Sequence, residues 1–432
     1  MSKSESLQKN NVDFLIIGSG IIGTALSIEI KKKYPQRSVL LIDKEKQTAY
    51  HSSGRNSGVL HAGFYYTADS LKALLCRQGN EILTDYCLTM KLRINQCGKL
   101  VVAKNESELE GLNTLSKRAQ VNGVTLHEIT EKEALELEPR VKTHQRALYS
   151  PKTSVIDPKE VLNHLLEQAQ KMGVLFQADT AFIKNLGQQK VLTSKQEITA
   201  GYIINCAGLY ADQIAKQYGF CKDMTIIPFK GIYLYSDQNP TVSPLKRHIY
   251  PVPNLNNPFL GVHHTITVDG KSKIGPTAIP AFWREQYSGL SRFNAKELVE
   301  ISTQELKLFL NSNFNFRELA LTEFKKYYKP NLVHEAQSMA KEVHLNDYKH
   351  WGKPGIRAQL FDLKKQALVM DFCYQGDSHS FHVLNAVSPA FTCSIPFARL
   401  MLEKIEQHLS SPMNSSPTAD TETKAGDLIH GI

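Results

Sequence analysis

The chain has 432 residues, enough for more than one domain, with apolar (42%) and charged (22%) fractions ordinary for a soluble globular protein. Its formal net charge of +9 is spread over scattered lysines and arginines, with no basic run interleaved with aromatic residues, which argues against nucleic acid as a partner. Seven dispersed cysteines show neither a Cys-x-x-Cys pair nor metal-ligand spacing, so we expect free thiols in a reducing compartment and no bound metal ion.

The first predicted element is an apolar strand that runs into a glycine-rich turn. Residues 13–23 read DFLIIGSGIIG, and Gly18, Gly20 and Gly23 have the spacing of a dinucleotide-binding motif. We expect Gly18 to permit the tight turn, Gly20 to let the backbone approach a pyrophosphate and Gly23 to let helix and strand pack closely. The phosphates would lie at the N-terminus of the next helix, beside Ile22.

A second apolar strand, residues 38–42, ends on an acid at the distance that such a motif requires. Asp43 lies 20 residues after Gly23, where a carboxylate is expected to accept hydrogen bonds from both ribose hydroxyls, and Lys44 follows it. Strand, glycine turn, helix, strand and acid together predict a nucleotide site rather than a merely structural turn.

A loop of small and polar residues follows, from Tyr50 to Gly63. It contains Ser53, Arg55, Asn56, Ser57 and Gly58, which would offer backbone N–H groups and a guanidinium to a ring system; the alternative is an ordinary polar loop.

Beyond this loop the pattern alternates between helices and short strands. Asp157-Pro158 is a typical helix start, since Asp caps and Pro occupies the first position, and Gly173 ends that helix. A later apolar strand ends in Cys206-Ala207-Gly208. In chain order we predict helices over 70–90 and 106–138, strands over 97–103 and 147–150, short strands over 174–199, a strand ending near 205, a helix over 209–218, a β-rich region over 225–290, helices over 294–345, strands over 355–360 and 368–371, a last helix from Ser388-Pro389 to about 407, and a disordered tail.

The motif alone fits NAD, NADP or FAD, and three observations favour FAD. The motif lies near the N-terminus, and the strand ending at Asn205 could return to the same sheet. In addition, the first unit is followed at once by a loop suited to contact a ring system.

Several blocks carry a family resemblance. Residues 53–66, SGRNSGVLHAGFYY, and residues 205–212, NCAGLYAD, resemble the D-amino-acid-oxidase-like superfamily of FAD-dependent oxidoreductases. The blocks GIRAQL at 355–360 and HVLNAVSPA at 382–390 resemble its 2-hydroxyglutarate branch, and the likeness covers about residues 12–405. It implies an α/β fold with a Rossmann-type FAD-binding domain (12–91, 151–222 and 353–408), an inserted mixed-sheet substrate-binding domain (92–150 and 223–352) and a tail over 409–432.

The resemblance also implies an activity. It is the FAD-dependent oxidation of L-2-hydroxyglutarate, a 2-hydroxy dicarboxylate, to 2-oxoglutarate, with electrons passed to a quinone or another acceptor. The location would be cytoplasmic, either free or peripheral on the inner membrane. Two alternatives stay open at this point: an amino-acid or amine oxidase resembling glycine or sarcosine oxidase, and a flavin-binding module without turnover that contacts RNA or a partner.

Oxidising a 2-hydroxy acid requires a base for the hydroxyl proton and cations for the carboxylates. We expect Arg357 to bind a carboxylate, because its planar fork matches that group, with Lys230, Lys273 or Arg55 as partners for a second one. His263 and His61 are the candidate bases.

The start of the last helix is a further candidate cofactor contact. At Ser388 the helix dipole would stabilise negative charge at the N1/C2=O edge of reduced flavin, although a simple helix cap explains the same residues. Covalent attachment of the flavin, the identity of the electron acceptor and the oligomeric state do not follow from the sequence.

Overall fold

The structure, a computed structural model, describes residues 10–237, 243–253, 259–311 and 316–410. The predicted disordered tail lies outside the described residues from 411 onward, whereas residues 409 and 410 end the last helix. The α/β class predicted from the sequence is confirmed, because helices pack on mixed sheets throughout the described ranges.

The glycine turn follows the central strand of an eight-stranded sheet, the dinucleotide sheet. Its strand Asn11–Ile17 is flanked in parallel by Val39–Ile42 on one side and Glu197–Asn205 on the other. The prediction that the later apolar strand returns to this sheet is therefore confirmed, with Ile17 paired to Asn205. The remaining strands are Val174–Gln177, Phe182–Gly187, Lys190–Thr193, Cys373–Gly376 and Ser380–Asn385.

Helices cover one face of this sheet because apolar side chains of both layers form a single buried cluster that includes Phe14 and Ile16. Asp157 caps one of these helices by accepting a hydrogen bond from the Lys159 N–H (2.9 Å), as its sequence predicts. The helices are Ile21–Lys33, Leu71–Thr89, Pro158–Lys171 and Ala390–Ser410.

A second eight-stranded sheet, the substrate-side sheet, collects strands from distant parts of the chain. The prediction of helix throughout 106–138 is wrong in one part, since residues 127–130 form an edge strand of this sheet. Helices Leu109–Val121 and Glu131–Leu137 flank that strand. In spatial order the strands are Tyr348–Trp351, Leu234–Ser236, Ser272–Gly275, His263–Ile266, His248–Pro251, Lys99–Val102, Arg146–Ser150 and His127–Thr130.

Two smaller sheets join the larger ones. Gly355–Asp362 pairs antiparallel with Met224–Gly231 along eight residues, so segments predicted to lie in different domains share a sheet here. The domain division inferred from the sequence stays a prediction. The other strands of the small sheets are Ile279–Pro280, Ala367–Leu368, Val59–Leu60, Ser154–Ile156 and Ile94–Asn95; the remaining helices are Ala211–Gln217, Ala295–Asn311, Phe316–Lys325 and Lys329–Gln337.

Candidate active site

A cavity of about 610 Å³ extends from the glycine turn to the substrate-side sheet. We call the part around Gly18 and Gly20 the glycine-turn end, and the part around His61, His263 and Arg357 the histidine end. The cavity brings together most of the site residues predicted from the sequence: besides those five, Ile22, Asp43, Lys44, Ser53, Arg55, Asn56, Ser57, Cys206, Ala207, Gly208 and Ser388 line it, whereas Gly23, Gly58 and Lys230 do not.

Two glycines of the turn are required by close backbone contacts. Gly18 has φ +106°, and a Cβ there would lie 2.5 Å from the carbonyl oxygen of Cys206. A Cβ on Gly23 would lie 2.0 Å from the carbonyl oxygen of Gly18. The turn can therefore fold back on itself and close against the end of strand Glu197–Asn205 only without side chains at these positions.

The helix Ile21–Lys33 begins at the cavity wall, and the first backbone N–H groups of a helix have no partner within it. Ser53 partly satisfies this helix end, since the Ile21 N–H donates to its Oγ at 3.0 Å. Asp43 braces the turn from the other side: Oδ2 accepts hydrogen bonds from the Ser19 N–H (2.8 Å) and hydroxyl (2.7 Å). Its Oδ1 accepts the Glu45 N–H at 2.9 Å. The carboxylate is thus held in place at the cavity wall.

The loop after Tyr50 is held together by its own polar side chains. Asn56 donates to the carbonyl oxygen of Ser53 (3.0 Å) and accepts the Gly58 N–H (2.8 Å). Arg55 donates to the Tyr50 carbonyl oxygen (2.5 Å) and to that of Pro354 (3.1 Å), so it ties the loop to the start of strand Gly355–Asp362. These bonds fix the shape of the loop and leave its backbone facing the cavity.

At the glycine-turn end, Lys44 and Arg292 have acidic partners. Arg292 contacts Glu45 (2.8 Å) and Glu285, and Lys44 also contacts both carboxylates. His51 adds a hydrogen bond to Glu45 at 2.9 Å. Ligand atoms of His51 and the two carboxylates lie within 4.8 Å of one another, a spacing suited to a metal ion, but Arg292 and Lys44 already supply positive charge there.

At the histidine end, Arg357 faces the cavity without a hydrogen bond or ion pair to any described residue. It lies opposite Phe229 in the small sheet, and its guanidinium carbon is 5.2 Å from the centre of the Phe259 ring. Burial lowers the pKa of this guanidinium, which the hydroxyls of Tyr66 and Tyr233 offset in part. An unpaired, partly buried guanidinium is suited to bind a carboxylate in two-point fashion.

His263 is oriented by two contacts. Its Nδ1 lies 2.8 Å from the carbonyl oxygen of Gly261, and its ring stacks on Tyr250 with the centroids 3.8 Å apart. A carbonyl can only accept, so Nδ1 carries the proton and Nε2 is left as the acceptor. Burial lowers the pKa of His263 to about 3. The ring is therefore neutral at neutral pH.

His61 lies at the same end of the cavity. Burial lowers its pKa to about 3, and the charges of Lys99, His263 and Arg357 act in the same direction. Its backbone N–H donates to Thr392 Oγ1 at 3.2 Å, which fixes the position of the residue against the last helix.

Several predicted residues lie elsewhere or play a different part. Lys230 lies on a strand between Phe229 and Gly231, which both line the cavity. Its own side chain is buried and does not line the cavity. Burial raises the pKa of the Cys206 thiol to about 12, so this thiol is protonated at neutral pH. Ser388 lines the cavity just before helix Ala390–Ser410, at the helix N-terminus.

Sequence reasoning missed the network of Glu285 and Arg292, because the chain between 280 and 295 carries no periodic signal. It also missed Lys99, which begins the apolar strand Lys99–Val102. A lysine inside an apolar run is the only signal that pointed to it. For Tyr233 and Tyr250 the sequence allows a place in the pocket but favours one in the core; both line the cavity.

These features fit FAD. Gly18 and Gly20 leave room for a pyrophosphate at a helix N-terminus, and Asp43 is the single carboxylate among the described residues of the cavity wall. The wall of the histidine end includes Tyr233 and Tyr250 as well as His61 and His263. No helix in the described ranges has the length and apolar character needed to cross a bilayer.

Comparison with known proteins agrees with this interpretation. A family model described as FAD dependent oxidoreductase matches residues 13–403. The chain is 33% identical to L-2-hydroxyglutarate dehydrogenase of Escherichia coli O17:K52:H18 over 97% of this chain and 98% of that protein. It is also 33% identical to the mitochondrial L-2-hydroxyglutarate dehydrogenase of Homo sapiens, over 94% and 90%.

Solved structures show the same fold. L-alpha-glycerophosphate oxidase from Mycoplasma pneumoniae, determined with FAD bound, superposes with a TM-score of 0.71 at 21% identity, covering 95% of this chain and 97% of that one. Glycine oxidase from Geobacillus kaustophilus superposes with a TM-score of 0.68 at 17% identity, covering 92% and 95%.

Proposed function

Since this chain belongs to the FAD dependent oxidoreductase family, in which relatives at about one-third identity are L-2-hydroxyglutarate dehydrogenases, we propose that it oxidises L-2-hydroxyglutarate to 2-oxoglutarate. The observation that carries this proposal is the histidine end of the cavity. There, the unpaired guanidinium of Arg357 and the acceptor nitrogen of His263 face the same space.

Arg357 binds the carboxylate next to the reacting carbon. Its fork offers parallel N–H donors, and because no carboxylate among the described residues has to be displaced, it gains the full interaction on binding substrate. The strand pairing of Arg357 with Phe229 fixes where that carboxylate lies relative to the histidines. Orientation of this kind is a large part of what a protein contributes to a redox cofactor's chemistry.

His263 takes the hydroxyl proton at Nε2. The contact of Nδ1 with the Gly261 carbonyl selects the required tautomer, and the lowered pKa keeps Nε2 unprotonated at neutral pH. His61 lies close enough to His263 and Arg357 for their charges to lower its pKa, and it is the second candidate for the same role. FAD, when bound, would supply the hydride acceptor for C2.

The phosphates and ribose of the cofactor are assigned to the glycine-turn end. Backbone N–H groups after Gly20 would hold the pyrophosphate, and Asp43 the ribose hydroxyls. Ser388, at the start of the last helix, would place the positive end of a helix dipole near the flavin ring.

The direct test is anaerobic reduction of the purified protein. It should carry bound FAD, and L-2-hydroxyglutarate should bleach the visible flavin absorbance, whereas the D enantiomer should not. Bleaching by glycine, sarcosine or an L-amino acid, with none by L-2-hydroxyglutarate, would overturn the substrate and leave the cofactor in place.

We further propose that electrons pass to a quinone or another acceptor. We also propose that the protein contacts a membrane peripherally. The support for this membrane contact is an exposed apolar stripe on helix Ala295–Asn311, where Val299, Leu306 and Leu310 are 67%, 58% and 67% exposed at helical spacing. Neighbouring Lys296 and Lys307 are exposed cations suited to anionic lipid. Sedimentation with anionic vesicles should be strong for the native protein and weak for the double variant Leu306→Glu, Leu310→Glu; equal sedimentation would contradict this contact.

A further inference from the structure

Two buried lysines lie just outside the cavity, each behind an aromatic ring of its wall. The first, Lys99, is fully buried, and its Nζ has no hydrogen-bond partner among the described residues. Its ammonium lies 4.5 to 4.7 Å from the ring centres of Phe64, Tyr65 and Tyr250. Of these three rings only Tyr250 lines the cavity, so a single ring separates this cation from the cavity.

Lys273 repeats the arrangement on another strand of the same sheet, Ser272–Gly275. Its Nζ lies 4.5 Å from the ring centre of Tyr233 and donates one hydrogen bond, to the carbonyl oxygen of Ser57 at 3.0 Å. Both of these neighbours line the cavity, whereas Lys273 itself does not. Here too, one aromatic ring separates a buried ammonium from the space that the substrate would enter.

Neither ammonium has a carboxylate within 4.0 Å in the part of the chain that the structure describes. Contacts with ring faces stabilise an ammonium only weakly compared with the cost of removing it from water. Buried charges without partners are normally avoided in proteins. Two such ammonium groups beside one cavity therefore indicate that a ligand supplies the missing negative charge.

The surroundings of the two lysines strengthen this argument. Burial lowers the pKa of Lys99 to about 7 and that of Lys273 to about 8, so both ammonium groups are mostly charged slightly below neutral pH. Arg357, a third cation without a carboxylate, faces the same end of the cavity. One carboxylate of a substrate balances Arg357 and leaves two positive charges uncompensated.

We propose that Lys99 and Lys273 are specificity-determining residues that make the cavity select doubly charged over singly charged 2-hydroxy acids. Rather than contacting the second carboxylate, they act through the Tyr250 and Tyr233 rings as a fixed positive field in a medium of low dielectric. The inference rests on the proposed function, because it assigns what recognises the second carboxylate of that substrate.

The test compares two non-reacting acids of equal chain length, 2-oxoglutarate and 2-oxopentanoate, which differ only in the second carboxylate. Their dissociation constants are measured by calorimetry at pH 6.5 on the FAD-loaded protein, in native form and as Lys99→Met and Lys273→Met. The matched control is Lys190→Met, an exposed lysine on a different sheet. Each buried-lysine variant should lose about tenfold in affinity for 2-oxoglutarate and less than about twofold for 2-oxopentanoate, with no change in the control.

An equal loss for both acids, or a loss for neither, would overturn the proposal, because a merely structural lysine does not distinguish one charge from two. Lys273→Arg, which keeps the charge, should retain the preference for 2-oxoglutarate. If Lys99→Met does not fold, Lys99→Gln and the Lys273 variants decide. Since binding is measured without turnover, loss of this preference is distinguishable from failure to oxidise L-2-hydroxyglutarate.

Discussion

The two ends of the cavity balance their charges in opposite ways. At the glycine-turn end, Lys44 and Arg292 are paired with Glu45 and Glu285. At the histidine end, Arg357 has no acidic partner among the described residues, and the same is true of the two lysines behind the wall. The difference indicates that the charged side chains Lys44 and Arg292 at the first end are balanced within the protein, whereas the cations of the second end are balanced by a ligand.

The ends differ also in how the chain builds them. The glycine turn itself comes from one contiguous unit of strand and helix, and the backbone groups of residues 18–23 are its proposed cofactor ligands. The histidine end is assembled from strands His248–Pro251, His263–Ile266 and Gly355–Asp362, which are far apart in the sequence. A side chain added at the glycine turn should therefore destabilise the protein by distorting the backbone. A substitution at the histidine end should instead reduce activity, through loss of a charge or of a proton acceptor.

The largest expected effect is at Gly23. The variant Gly23→Ala places a Cβ 2.0 Å from the Gly18 carbonyl oxygen, so the turn must open, at a cost of about 3 kcal/mol or more. We expect little bound FAD and a lowered unfolding midpoint, measured by flavin absorbance and by circular dichroism. Gly20→Ala is the matched control for stability: its φ of −63° suits alanine, and its Cβ meets only the Ser53 hydroxyl at 3.1 Å, so the unfolding midpoint should stay close to that of the native protein. An equal drop of the unfolding midpoint in both variants would contradict this account.

The next effect tests the unpaired charge. Arg357→Met should reduce kcat/KM for L-2-hydroxyglutarate by about 10²–10³, which corresponds to about 3–4 kcal/mol, while FAD stays bound. Arg357→Lys should recover part of this loss, since it restores the charge without the fork. Arg55→Met is the comparison, because the Arg55 guanidinium is already engaged by backbone carbonyls. A larger loss of kcat/KM in Arg55→Met would move the carboxylate site to Arg55.

The contrast between the ends also explains what could be predicted from the sequence. The glycine turn, Asp43 and the helix capped by Asp157 were predictable because each depends on neighbours within a few residues or on one fixed spacing. The pairing of Gly355–Asp362 with Met224–Gly231 was not, since it joins strands about 130 residues apart, and no local pattern specifies the partner of a strand.

Side-chain direction at the histidine end was equally beyond local reasoning. Lys230 and Arg357 were both candidate carboxylate ligands, yet of the two only Arg357 faces the cavity. Lys230 directly follows the cavity-lining Phe229, and consecutive residues of a strand point to opposite faces of the sheet. Lys99 could not be assigned either, because a lysine in an apolar strand becomes informative only when its three aromatic neighbours are known. The strand at 127–130 was missed because its residues are mostly exposed and polar.

A smaller effect should separate the two histidines. His263→Gln removes the ring nitrogen that the contact with the Gly261 carbonyl leaves as an acceptor, so kcat should fall about 10²-fold, at the lower end of the range for loss of a general base. His61→Gln should cost about tenfold, and neither variant should change the FAD content. Both pKa values are lowered to about 3, so the acceptor form is present at neutral pH and is lost only as the pH falls toward that value. Rapid-reaction measurement of flavin reduction checks the order; a greater loss in His61→Gln would exchange the two roles.

The smallest effect is expected at Lys230. It sharpens the comparison because the chain neighbours of this lysine line the cavity, whereas its own side chain does not. It is buried, yet Phe229 and Gly231 on either side of it line the cavity, so its ammonium points away from the substrate. Lys230→Met should therefore change kcat/KM less than about threefold, whereas a direct charge–charge contact in a buried site is worth far more. A loss comparable to that of Arg357→Met would show that the strand turns this side chain inward when substrate binds. The unpaired charge of the histidine end would then extend beyond the residues that line it.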